Sequence, residues 1–135
     1  MIINRQRITI VYHRKPTKQT LNDELQWLGD SLGLFNLRDK DKSCFRIFVE
    51  LLKAARHNIA LSSDELALNL KLTRGTVIHH INKLMESGIV VTDGKRYLLR
   101  VSSLTQLIDE LEQDVMHTCA QLKKVAKHID DSLGL

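Results

Sequence analysis

Aromatic side chains are scarce in this chain: one Trp, two Tyr and three Phe, 4% of 135 residues. With hydrophobic content at 43%, a core is affordable, and that mix favours a helical core of Leu, Ile and Val. There is one proline, Pro16, and there are six glycines, placed mostly at the ends of expected helices and at one turn. No glycine-rich phosphate loop, nucleophile elbow, HExxH pair or recognisable carboxylate pair occurs, so nothing points to an enzyme. The two cysteines, Cys44 and Cys119, are far apart and form no CxxC; they read as reduced, core-type residues of a cytoplasmic protein. No apolar run approaches the ~20 residues needed to cross a membrane. The N-terminus, MIINRQRITIVYH, lacks the apolar stretch and small-residue cleavage site of a signal peptide. Repeats and low-complexity tracts are also missing.

What the chain does have is a compact signal in ELALNLKLTRGTVIHHINKLMESGIV, residues 65–90. Ser62 and Ser63 are N-cap candidates, and Glu65 stands three residues past Ser62, the spacing of a capping box. Leu66, Ala67 and Leu70 fall on one face of a short helix. Leu72 plugs the turn that follows, and Thr73 is the next N-cap. Val77, Ile81, Leu84 and Met85 then form a second apolar stripe, which Gly88 ends. Two helices crossing steeply leave little room at Ala67. The opposite face of the second helix carries Arg74, Thr76, His79, Asn82 and Lys83, donors and cations of the kind that base edges and phosphates accept. His79 and His80 are adjacent and so face different ways, His80 toward a half-buried site and His79 outward.

The residues Glu65-Leu66-Ala67, Leu70, Leu72-Thr73, Thr76-Val77, His79-His80-Ile81, Leu84 and Ser87-Gly88-Ile89-Val90 resemble the winged helix-turn-helix of arsenic-repressor-type (ArsR-like) bacterial and archaeal regulators. Multiple-antibiotic-resistance-repressor-type (MarR-like) proteins are cousins. The resemblance implies a mainly α fold with a small β-hairpin wing, and double-stranded DNA as partner. Lys71 departs from it, because glycine is frequent there; this lysine must then hold a left-handed or strained backbone. Winged helices also serve as protein-interaction or assembly modules without DNA binding, and that alternative stays open.

The net charge of +4 is unevenly spread. Residues 1–35 hold five Lys/Arg against three Asp/Glu, residues 36–101 twelve against seven, and residues 102–135 three against six. The basic centre coincides with the motif, as phosphate attraction requires. These three segments are the expected organisation: an N-terminal arm and helix at 1–35, a winged helix-turn-helix at 36–101 and a dimerisation helix at 102–135.

Around the motif, Asp41 or Ser43 is expected to cap a helix to about Arg56, with Phe45, Phe48, Val49, Leu51 and Leu52 on its apolar side. Ile59-Ala60-Leu61 reads as a short strand. Two β-rich runs flank Asp93-Gly94, which predicts a hairpin with those two residues in a type I′ turn. This wing, spanning 92–97, offers Lys95 and Arg96 to the DNA backbone. Thr73, Lys83, Lys95 and Arg96 are thus expected to anchor phosphates. Arg74, Thr76, His79 and Asn82 are expected to read bases from a recognition helix at 74–87, Arg74 being suited to guanine O6 and N7.

The C-terminal segment predicts one long helix, capped by Ser102 or Ser103 and ending near Ser132. Leu104, Ile108, Leu111, Val115, Thr118, Leu122, Val125 and Ile129 recur at alternating spacings of four and three, a heptad seam. A helix of ~30 residues spans about 45 Å, more than a small domain can cover. Its seam, Thr118 included, is therefore expected to meet the same helix of a second copy, giving a homodimer with recognition helices about 34 Å apart. In the N-terminal segment, Arg7 to His13 alternates like a strand that Pro16 breaks. Thr20 then caps a helix from Leu21 to about Leu34, with Leu21, Leu25, Leu28 and Leu32 beside Trp27 on the packing face. The arm's Arg5, Arg7, Arg14, Lys15 and Lys18 either lie on DNA or pack on the dimer helix.

The resemblance raises metal sensing as a further alternative. The cysteine site often found in the helix before the recognition helix is absent here. A second family site on the C-terminal helix uses acid and His ligands shared across a dimer, and Asp114, His117, His128 and Asp131 resemble its spacing. Asp and His ligands suit tetrahedral Zn²⁺. The first acid is displaced by one residue, the last is Asp where Glu is usual, and His117 and Asp131 face away from a parallel seam. No metal or other cofactor is therefore expected.

Overall fold

The computed structural model describes residues 5–35, 38–39 and 41–135; residue 36, where the second segment was expected to begin, lies outside them. Five helices and three short strands follow in the order α1 (Leu21–Ser31), α2 (Ser43–Ala55), β1 (Leu61–Ser62), α3 (Ser63–Leu70), α4 (Arg74–Glu86), β2 (Val90–Asp93), β3 (Arg96–Leu99) and α5 (Leu104–Leu133). The fold is mainly α with a small antiparallel sheet, of order β1-β3-β2.

Side-chain caps start four of the five helices. Thr20, Ser62, Thr73 and Ser103 each accept the backbone N–H three residues on, satisfying one of the donors a helix start leaves free. Helix α2 departs from the expected cap. Its N-cap position is Lys42, left-handed and without a side-chain cap bond, while Asp39 Oδ2 accepts the Cys44 N–H at 3.0 Å from outside the helix. Neither Asp41 nor Ser43 does this work; the carboxylate reaches in from the preceding loop.

One hydrophobic cluster joins all three segments of the chain. Ile47, Phe48, Leu51 and Ala55 of α2 meet Leu66 of α3 and Val77, Ile81 and Leu84 of α4, with Ile89, Val90 and Leu99 from the sheet side. Leu32 and Leu34 enter it from after α1, and Leu107 and Leu111 from α5. Close packing shows at Gly29, where a Cβ would press into the Phe45 ring, itself stacked on Phe35 at 4.7 Å between centroids.

The turn between α3 and α4 is made without glycine. Lys71 sits at φ 56°, ψ 46° and donates its N–H to the Ala67 carbonyl, which also accepts from Leu72 at 2.9 Å. The left-handed cap demanded of Lys71 is thus what forms. An L-residue with a Cβ pays ~1–2 kcal/mol in that region. Lys71→Gly is therefore expected to raise the unfolding free energy by up to about 1 kcal/mol, read by denaturant melts, with Lys71→Val lowering it.

Several expected boundaries shift. Strand 59–61 forms as β1 at Leu61–Ser62, paired to Tyr97 and Arg96 of β3. Helix α1 stops at Ser31, not Leu34, since Gly33 turns the chain at φ 72°. Residues 7–13 form no strand: Arg7 N–H bonds to Glu86 O and Val11 N–H to Ser31 O, so the arm lies along two helix ends instead of beside a strand. In the hairpin, Asp93 pairs with Arg96, which leaves Gly94-Lys95 as the two-residue loop. Only Gly94 has positive φ there, so the turn has the II′ pattern, Gly first, and not I′, which needs positive φ at both positions.

The largest revision concerns α5. Leu111, assigned to the dimer seam, is buried in the chain's own core with Leu107, and Leu104 packs against that core. The first third of α5 is a domain helix because three leucines at spacings of three and four face inward. Arg100, at the end of the wing, locks it down: its Nη2 donates to Asp114 Oδ1 at 3.2 Å, its Nη1 to Asp114 Oδ2, and its Nε lies 3.1 Å from Glu110 Oε2. Hydrogen bonding from Arg100 holds the Asp114 carboxyl below its ordinary value, against the opposing effect of burial. That stability is present above the ordinary carboxylate pKa and lost as pH falls through the depressed one. Asp114→Asn is expected to cost about 1–2 kcal/mol at pH 7 by thermal or urea melts, with the gap to the parent closing as pH falls through the depressed Asp114 value.

Candidate nucleic-acid interface

Helix α4 has one buried and one open side. Val77, His80, Ile81 and Leu84 are buried against α2 and α3, so the outward side is fixed by the 3.6-residue repeat. Arg74, Gly75, His79, Asn82, Lys83 and Glu86 are exposed on it, and Thr76 is half-buried. The structure thus brings Arg74, His79, Asn82 and Lys83 together on one surface, as expected. Gly75 was not foreseen: it lies in the first turn of this surface, and a Cβ there would meet nothing within 4 Å. Protein packing does not require this glycine, and its lack of a side chain lowers the surface beside Arg74.

The first turn is rigid. The Thr73 hydroxyl accepts the Thr76 N–H at 3.2 Å and donates to Thr76 Oγ1 at 2.8 Å. Both hydroxyls expected to contact nucleic acid are therefore engaged in the cap. Arg74 Nε lies 3.7 Å from Asp64 Oδ1 of α3, an exposed pair that costs little to exchange.

The wing supplies less free charge than expected. Lys95 stands exposed in the turn with Asp93 beside it. Arg96 faces back: its Nη1 is 2.6 Å from Glu65 Oε1 and donates to the Ala60 carbonyl at 3.1 Å. It ties β3 to the start of α3 rather than presenting itself to a phosphate. The Asp-Gly signal gave the hairpin; the one-residue offset in register decided which cation sits at its tip.

The extended arm borders the same surface. Gln6 Nε2 donates to the Ser87 carbonyl at 3.1 Å and to Asp114 Oδ2 at 3.0 Å, so one amide joins the arm, the end of α4 and α5. Gly88 sits there at φ 84°, a backbone conformation that favours glycine, and a Cβ would press on the end of the Gln6 side chain. Arg7 pairs with Glu86 at 3.7 Å, and Trp27 Nε1 donates to the His13 carbonyl at 3.2 Å. A cleft of about 720 Å³ opens between arm, α4 and wing, with Arg5, Asn82 and Thr92 on its walls.

Within one chain the metal candidates do not converge. Asp114 is spent on Arg100 and Gln6. His117 and His128 are both exposed, eleven residues apart on α5, which is roughly 16 Å of helix. Among the described residues no group of three or more His, Cys, Asp or Glu could hold a metal. Of the cysteines, Cys44 is buried and burial pushes its thiol up to about 11, but Cys119 is exposed on α5, contrary to the core role expected of both. No helix among the described residues is long and apolar enough to cross a membrane.

His80 anchors α4 from behind. It is 8% exposed, its Nε2 is 3.8 Å from Asp39 Oδ2, and its Nδ1 has no hydrogen-bond partner. Burial lowers its pKa, overcoming the attraction of Asp39. The unfolded chain therefore takes up a proton near pH 6.5 that the folded chain resists, and stability present above that pH is lost as pH falls through the depressed value. Urea melts at pH 7.5 and pH 5.5 are expected to show this loss, and His80→Phe is expected to reduce the difference.

With this geometry in view, residues 49–91 match the family model described as winged helix-turn-helix DNA-binding. The match runs from within α2 through α3 and α4 into β2. No curated protein and no solved structure matches the chain.

Proposed function

We propose that this protein is a homodimeric regulator of transcription that binds double-stranded DNA sequence-specifically, with α4 in the major groove and the wing on the backbone. The observation that carries this reading is the outward face of α4: an N-terminally capped helix presents Arg74, His79, Asn82 and Lys83 beside a glycine-lowered first turn. A basic, donor-rich surface of this kind suits guanine edges and phosphates, and it lies within the matched residues 49–91. The long unpartnered end of α5 supports dimerisation, since Leu122, Val125, Ile129 and Leu133 remain 48–68% exposed.

The roles are refined by the contacts. Arg74 reads a base after exchanging Asp64 for it; His79 and Asn82 assist; Lys83 and Lys95 neutralise phosphates. Arg96 and Thr73 hold the scaffold. The ArsR-like resemblance fits the order of elements, but metal control through Asp114, His117, His128 and Asp131 is not part of the proposal because Asp114 is engaged.

Selection from random duplex DNA tests the assignment. Arg74→Ala is expected to cost about 1–3 kcal/mol and relax preference at one position, while Lys95→Ala weakens all sequences alike and reduces the salt slope by about one. The reverse pattern would overturn these roles. Absence of duplex affinity at low salt would overturn DNA binding and leave the fold as a protein-interaction module.

A further inference from the structure

Helix α5 divides in two. Up to Val115 it is packed or bonded to its own domain, and from Met116 on every residue is exposed. Ile108, Leu122, Ile129 and Leu133 nevertheless remain exposed along one side, next to half-buried Val115. At its lower end this stripe opens into a groove of about 560 Å³ between α1 and the start of α5, lined by Leu21, Leu25, Trp27, Leu104 and Ile108.

Charge along the helix is as unequal as packing. Its first half carries Asp109, Glu110, Glu112 and Asp114 and no cation; its second half carries Lys123, Lys124 and Lys127 ahead of Asp130 and Asp131. Arg100 takes Glu110 and Asp114. Asp109 and Glu112 are left exposed, as are the three lysines.

We infer that the occupant of this stripe and groove is α5 of a second copy, running antiparallel about a dyad between residues 118 and 119. This rests on the homodimer reading above and fixes its geometry. In that register Ile108 faces the partner's Ile129, Val115 the partner's Leu122, and Leu104 with its groove the partner's Leu133. Every exposed apolar residue of the stripe then gains an apolar neighbour. Lys123 comes within two positions of the partner's Glu112, and Lys127 within one of the partner's Asp109, a displacement of about 3 Å or less along the helix. A parallel pair would instead lay the acidic first halves level with each other at one end and the lysine-bearing second halves level at the other, like charge with like. It would also leave both grooves at one end with no partner apolar side chain to fill them.

Two measurements on the full chain test this. Glu112→Lys and Lys123→Glu are each expected to weaken the dimer about tenfold by sedimentation equilibrium, and the double variant to recover to within about threefold of the parent, because reversed pairs re-form only across an antiparallel interface. Second, a spin label at Asp131→Cys in a Cys119→Ser background reports the direction; Cys44, being buried, does not compete. A label separation of roughly 40 Å is expected from the helical rise on either side of the dyad. A separation within about 20 Å, or failure of the double variant to recover, would overturn the antiparallel register while leaving a dimer. A monomeric mass for the parent chain at tens of micromolar would overturn the dimer itself.

Discussion

The interface between α4 and the helices behind it governs this molecule. Val77, Ile81 and Leu84 are each at most 1% exposed, and a turn of α4 that put Thr76, His80 and Lys83 in their places would cost several kcal/mol. Once that face is buried, the helical repeat leaves Arg74, His79, Asn82 and Lys83 no other direction. The outward surface of α4 is a by-product of core packing, rigid because the core is.

Ion pairs then tune what packing has placed. Glu65 holds Arg96, Asp64 lies near Arg74, and Glu86 meets Arg7. These exposed pairs are worth little each, so a phosphate or a guanine edge can replace the carboxylate at Arg74 without a large penalty. Arg96 differs, because it also bonds the Ala60 carbonyl and joins sheet to helix. Arg100 and Asp114 do the same between wing and α5. Through Gln6, which reaches both Ser87 and Asp114, the end of α4, the arm and the long helix share one hydrogen-bonded junction.

Much of the fold was legible in order of residues. The caps at Thr20, Ser62, Thr73 and Ser103 were readable because a cap is a local bond spanning three residues. The left-handed turn at Lys71 was readable from what was missing, a glycine. The seam on α5 was only half readable. Its heptad repeat is real, but Leu104, Leu107 and Leu111 form an equally regular stripe, and periodicity cannot say which of two stripes meets the chain's own core. Burial of Leu107 was the signal that separates them, and it exists only once α2 and the sheet are in place. The outward face of α4 was legible at Arg74, His79, Asn82 and Lys83; the direction of Arg96 was not, because a partner thirty-one residues away takes that side chain.

The sequence by itself determined the helices, the caps that start four of the five, the hairpin and the outward face of α4, since each follows from spacings of two to four residues within a continuous segment. Tertiary structure alone decided which cations stay available, where the hairpin's register falls, and how much of α5 belongs to its own domain. Those outcomes depend on groups distant in sequence competing for the same carboxylate, strand partner or core space. The winner of such a competition is set by three-dimensional proximity, which no local pattern encodes.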